Sequence, residues 1–213
     1  MKFLRSLLLV SLFLPFAAFG QASAGSTAKS TAQLGPDELV RAVTDDVLNA
    51  IKNDKQLAAG DKQKALKLAE EKVLPHIDFA EATRLAVGRS WKQASAEQKK
   101  ELTEQFRRML VRTYANAIGP YQGQTMKVQP TRTKPDDTEA TVRSQFIRSG
   151  GKPIQLEYQM RKTDAGWKVY DIVVEGVSLV LTYRSEFDAV VKQQGIDGLI
   201  KRLAEKNTPP KMG

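Results

Sequence analysis

His76 is the one histidine of the chain, cysteine is absent, and the acids that fall in its most apolar stretch are Asp171 and Glu175. A transition-metal site needs several His or Cys ligands or a matched set of carboxylates. A nucleophilic triad or a Cys-His pair needs a base at its side, so this inventory speaks against all three. Gly150-Gly151 has no helix pattern behind it and reads as a hairpin turn, not a phosphate loop. The bond chemistry left open is Asp171 acting with Tyr158 or Tyr170 in an apolar cavity, where a carboxylate can take a proton from beside a carbonyl. The simpler role for Asp171 is an ion pair with an arginine at the rim of a sheet.

The positive charges do not cluster either. There are 33 Lys and Arg against 24 Asp and Glu, a net of +9, and they are spread through every helical segment. No basic strand interleaved with aromatics and no recognition-helix pattern is present, so nucleic acid is not the expected partner. Such a surface is a solvated exterior, with steering towards anionic membranes or acidic partners as its functional alternative.

The elements that would position these residues begin after a leader. Lys2 and Arg5, an apolar run from Leu7 to Phe19, and Ala22-Ser23-Ala24 have the order of a secretory signal with its cleavage site. The run is short for a membrane span, and no cysteine follows it for lipid attachment. Residues 1–24 are therefore expected to be removed, leaving an exported, periplasmic protein. Taking Lys2 and Arg5 from the 33 basic residues leaves 31 against 24 acidic ones, a net of +7. Half of the eight phenylalanines leave as well, so the interior must be mainly aliphatic. Residues 25–35 read as a flexible leader, 36–207 as one domain and 208–213 as a tail.

Pro36 opens a helix with Leu39, Val43, Val47, Leu48 and Ile51 on one side. Asp61 caps a second helix that stops at Pro75, and Asp78 a third that closes at Gly88. Ser95-Ala96-Glu97-Gln98 is a capping box, opening a long helix through Phe106, Leu110 and Tyr114 to Ile118, with Gly119-Pro120 as its stop. The pattern then changes to strands. Thr125 to Thr131 reads as an edge strand because of Pro130, and Glu139 to Arg148 follows. Pro153 to Lys162 alternates Ile154, Leu156, Tyr158 and Met160 with polar residues, and Trp167 to Val174 reads as a strand covered on both faces. Gly176 is the expected bend and Ser178 the expected cap of a helix carrying Leu179, Val180, Tyr183 and Phe187, with Gly195 as its end and Asp197 as the start of a last short helix. Helices, then an antiparallel meander, then helices make an α+β fold.

Several blocks in this order resemble the MlaC family of periplasmic phospholipid-binding, or toluene-tolerance auxiliary, proteins. They are Pro75-His76-Ile77-Asp78-Phe79, Arg84-Leu85-Ala86-Val87-Gly88-Arg89 with Trp91, Thr113-Tyr114, Trp167-Lys168-Val169-Tyr170-Asp171, Glu175-Gly176-Val177-Ser178-Leu179-Val180, and Tyr183-Arg184 with Phe187. The likeness runs from about Pro36 to Asn207. Thr182 departs from it, because the family commonly has Asn there. The resemblance implies a nuclear-transport-factor-like antiparallel sheet of about four strands, with helices packed across it around a deep apolar pocket for acyl chains. It further implies a monomeric, non-enzymatic shuttle, with no cofactor beyond the bound phospholipid. Its partners would be an outer-membrane lipoprotein-porin complex and an inner-membrane ABC transporter with an MCE-domain subunit, in a system that maintains outer-membrane lipid asymmetry.

A diacyl phospholipid exposes roughly 30 methylenes. At about 0.8 kcal/mol each, their transfer to water costs on the order of 20 kcal/mol, so a carrier must offer a cavity and not merely a surface. The expected walls are Phe106, Leu110 and Tyr114 from the long helix, Phe146, Leu156 and Tyr158 from the meander, and Val169, Ile172, Val174, Val177 and Leu181 from the last strand and its bend. Ordinary core packing is the alternative for each of them, and a filled-core interaction protein or a small hydrophobic-pocket enzyme the alternative for the whole. Arg84, Arg89 and Arg184 are expected to pair with Asp78, Asp171 or Glu175, or else to meet phosphate or a partner.

Overall fold

The computed structural model describes residues 30–114, 121, 123–148 and 150–208. The signal sequence, the first part of the leader, the extension of the long helix to Ile118 with its Gly119-Pro120 stop, Ser149 of the hairpin turn and residues 209–213 lie outside the described residues.

Among the described residues, five α-helices precede the sheet: α1 (Pro36–Asn53), α2 (Lys55–Ala58), α3 (Lys62–Lys72), α4 (Phe79–Val87) and α5 (Ala96–Tyr114). Their starts are set by side chains that accept otherwise unpaired backbone N–H groups. The Asp61 carboxylate accepts from Lys64 N, Asp78 from Glu81 N, and Ser95 Oγ from Gln98 N, while the Gln98 side chain returns the bond to Ser95 N. Asp54 does the same for α2, a single turn that the sequence pattern does not announce.

The sheet comprises β1 (Thr125–Val128), β2 (Glu139–Ile147), β3 (Ile154–Thr163), β4 (Gly166–Val174) and β5 (Val177–Ser178), an antiparallel meander in chain order. It has five strands where about four were expected. Glu175 and Gly176, both at positive φ, form a tight reversal, so Ser178 enters a strand paired with Val173 instead of capping a helix. Helix α6 (Arg184–Asn207) starts six residues later, after a 3-10 turn at Leu181–Tyr183. At Gly195, where φ is 70° and ψ is −175°, the backbone leaves the helical region, so this run is two helices joined at a kink, in line with the expected end at Gly195 and restart near Asp197.

The outer face of the sheet is polar, with Thr141 donating to Gln159 and Arg143 paired with Glu157. The inner face is apolar, and α1 lies on it, placing Leu39 and Val40 against Val142, Met160 and Val169. Strand β4 was expected to be covered on both faces, but it alternates over its first half, with Trp167, Val169 and Asp171 buried and Lys168 and Tyr170 only partly so. A bulge corrects the rest: Met160 pairs with Val169 and Gln159 with Asp171, which leaves Tyr170 as the extra residue. The end of the leader is ordered too. Residues Thr31–Gln33 form a 3-10 turn against Gly166, whose φ is 93° and where a Cβ would stand 2.8 Å from Ala32 O.

A second core forms among α4, α5 and α6. Phe106 is fully buried and meets Tyr183 and Phe187 edge-on, with ring centroids 5.4 and 5.3 Å away, and Leu102, Leu199 and Leu203 close the space around them.

Candidate functional site

The space between the inner sheet face and the helices is not filled. One cavity of about 350 Å³ lies under α1, walled by Val40, Val43, Thr44 and Val47, with Met126, Phe146 and Tyr158 of the sheet opposite and Tyr121 at its side. A second, of about 500 Å³, lies between the sheet and α3, α4 and α5, walled by Leu66, Ala69, Ala82, Leu110, Val111 and Tyr114, with Leu156, Leu179 and Val180. Val73, Ile77, Tyr158, Val169 and Ile172 line both. Each has the size of pockets that hold small organic ligands, about 300–1,000 Å³.

The bulge in β4 is part of how this site is made. In a regular strand, Val169 and Ile172 would point to opposite faces. The extra residue restores the phase, so that both meet the cavities, and Ile172 stands opposite Tyr158. The segment Leu74–His76 that follows α3 is pinned to the free edge of β4. Asp78 N donates to Val169 O at 2.7 Å, Ile77 bridges Val169 in parallel, and Lys168 Nζ donates to Pro75 O at 2.6 Å.

The polar groups of the walls are quiet. Tyr158 OH and Thr44 Oγ1 both turn to the Met126 sulfur, at 3.4 and 3.5 Å, and burial pushes the Tyr158 phenol above its ordinary value. The Tyr114 phenol is pushed up to about 12, chiefly by burial and then by its hydrogen bond with Tyr183. Burial, and secondarily the Lys168 charge, holds the His76 imidazole below its usual value, which favours the neutral ring. At neutral pH the raised Tyr114 and Tyr158 phenols stay protonated and the lowered His76 imidazole neutral, which suits an apolar guest.

Asp171 lines the larger cavity, yet its carboxylate is engaged elsewhere. One oxygen accepts from Ser178 Oγ and the other from Val180 N at 3.1 Å, so it fastens the β4–β5 hairpin to the turn before α6. This replaces the expected arginine pair, because the sharp reversal at Glu175-Gly176 brings the Ser178 hydroxyl and the Val180 N–H to it first. The arginines differ from expectation as well. Arg84 pairs with Glu81, which pushes its guanidinium further up, whereas Asp78 and Glu81 both hold Arg161. Arg184 extends across Gly88, with Nε 3.1 Å from where a Cβ would be. Among the described residues no three His, Cys, Asp or Glu side chains gather, and no helix is long and apolar enough to cross a membrane.

Of the expected walls, Leu110, Tyr114, Phe146, Leu156, Tyr158, Val169 and Ile172 line one cavity or both. Four do not. Phe106 belongs to the filled core of α4, α5 and α6, and Val174 is half-buried at the end of β4. Val177 and Leu181 are 55% and 43% exposed, because the hairpin turns Leu179 and Val180 inward in their place. Sequence reasoning missed the contributions of α1, α3, Val73 and Ile77. Their signal was present in the Leu39, Val43, Val47 stripe, but a stripe does not say whether it meets another side chain or a void.

A family model described as "MlaC protein" matches residues 41–205. The chain belongs to the MlaC family. Within it, the chain is 25% identical over 187 residues to the intermembrane phospholipid transport system binding protein MlaC of Haemophilus influenzae, covering 86% of this chain and 87% of that one. It is 22% identical over 163 residues to the toluene tolerance protein ttg2D of Pseudomonas putida, covering 76% and 75%. A solved phospholipid-binding protein from Ralstonia solanacearum, in complex with a phospholipid, is 40% identical with a TM-score of 0.70, over 79% of this chain and 94% of that one. The α+β order, the meander and the helices across its inner face are thus those of an MlaC-family protein.

Proposed function

We propose that this MlaC-family protein is a phospholipid carrier of the periplasm, holding acyl chains in the two apolar cavities and shuttling lipid between the outer and inner membranes so that outer-membrane lipid asymmetry is maintained. The observation that carries the reading is the pair of unfilled apolar cavities against the inner sheet face. The solved relative named for its bound phospholipid supports it. The wall residues Leu110, Tyr114, Phe146, Leu156, Tyr158, Val169 and Ile172 are assigned to the chains. The protein performs no bond chemistry in this reading, and Asp171 is a fastener, since both of its oxygens already accept hydrogen bonds. An outer-membrane lipoprotein-porin complex and an MCE-domain transporter of the inner membrane would load and unload it.

Organic extraction of natively purified protein, followed by mass spectrometry, tests the reading. The expected outcome is phospholipid in about equimolar amount. Protein that carries none, and takes none from vesicles, would refute it.

A further inference from the structure

We infer that Met126 is a modification site: a peroxide converts its thioether to the sulfoxide, and the Thr44 and Tyr158 hydroxyls, which already converge on that sulfur, then clamp α1 to the sheet across the smaller cavity. The reaction and the clamp belong to the lipid-free protein, so neither rests on the carrier reading above. With cysteine absent, thioethers are the sulfur groups of this chain. Met109 and Met160 are 6% and 0% exposed, shut inside the two cores. Met126 differs from both. It is half-buried on β1, an edge strand of the sheet, and its side chain lines the unfilled smaller cavity, where a small oxidant can reach the sulfur.

Two donors from separate elements face the sulfur. Thr44 Oγ1 of α1 stands 3.5 Å from it and Tyr158 OH of β3 3.4 Å. A thioether is a weak acceptor, so these bonds hold α1 only loosely. When hydrogen peroxide reacts, its O–O bond breaks as an S–O bond forms. Sulfur gives up two electrons, and the other oxygen leaves as water, carrying the proton of the oxygen transferred. The sulfoxide oxygen that results is a strong acceptor. In a sealed core it would be an unpaired buried dipole and would cost stability, whereas here both donors already stand in place to pair it. A hydrocarbon chain entering the smaller cavity then meets a closed polar bridge, so the oxidised protein holds apolar guests less well.

Peptide mapping of the lipid-free mature protein after graded exposure to hydrogen peroxide tests the site. Met126 should be oxidised about tenfold faster than Met109 or Met160. Urea unfolding tests the clamp. Wild type oxidised at Met126 should keep or raise its midpoint, whereas oxidised Thr44→Val and Tyr158→Phe, each lacking one donor, should lose midpoint relative to their own unoxidised forms. Retention of palmitoyl-oleoyl phosphatidylglycerol should fall about threefold or more when wild type is oxidised, and Met126→Leu should retain as much after peroxide as before it. Equal oxidation rates at the three methionines overturn the site. A lowered midpoint or unchanged retention in oxidised wild type overturns the clamp, and neither comparison needs a variant. Protein that takes no phospholipid in any form refutes the carrier reading instead, while the oxidation rates and urea midpoints still decide for or against Met126.

Discussion

The α4–α5–α6 side of the molecule and the sheet–α1 side use the same aliphatic and aromatic residues to opposite ends. Phe106, Leu102 and Leu199 are fully enclosed among the apolar side chains of α4, α5 and α6. Leu156, Tyr158, Ile172 and Ile77 are only half-buried, because the surface they keep faces a cavity. Stability is concentrated where the packing is complete. The sheet side carries unspent apolar surface, and that surface is what a hydrophobic guest can cover.

The largest test of this contrast is Phe106→Ala, which should cost about 3–5 kcal/mol in urea unfolding, since it deletes the ring between Tyr183 and Phe187 and leaves a void in a filled core. Leu156→Ala, in the cavity wall, should cost about 1 kcal/mol in lipid-free protein while lowering lipid retention. Equal costs at the two positions would abolish the distinction. Asp171→Ala should lie between them, at about 1–3 kcal/mol, because Val180 N is left unpaired at a buried position. A cost near zero there would show that the hairpin needs no fastener.

The effect of His76 is smaller and depends on pH. Its folded value is lowered, so its contribution to stability is fully present above the unfolded value near 6.5 and is lost as pH falls through that value towards the folded one. The urea midpoint of lipid-free protein should therefore fall between pH 7 and pH 5, and His76→Gln should lessen the fall. An unchanged fall would mean that the imidazole is solvated in the folded protein. The smallest effect is expected for Val177→Ser with Leu181→Ser. These side chains are exposed, so unfolding should shift by no more than about 0.5 kcal/mol and lipid retention should not change. A loss of retention would return them to the cavity wall.

Helix starts were legible because capping is local: Asp61, Asp78 and Ser95 bond backbone groups within three residues, and each stands where the pattern puts it. The meander was legible for a related reason, since Ile154 to Met160 alternates and turns flank it. The bulge at Tyr170 was not, because Trp167 to Val174 is apolar at nearly every position and reads the same in either phase. The β4–β5 reversal was hidden by helix periodicity. Leu179, Val180, Tyr183 and Phe187 have helical spacing, yet the first two line a cavity from a turn, and the helix begins only at Arg184.

The sequence by itself determined the α+β order, the capped helices, the wet outer and dry inner faces of β3, and, through its blocks, the family. These rest on contacts between residues close in the chain or on a period of two or about 3.6. Only the tertiary structure decided which apolar residues fill a core and which line a void. Phe106 and Leu110 lie on one helix, one turn apart, and one is enclosed by α4 and α6 while the other faces the larger cavity. That difference is made by what stands opposite them, Phe187 in one case and empty space before the sheet in the other, and no local pattern records the distance between two layers.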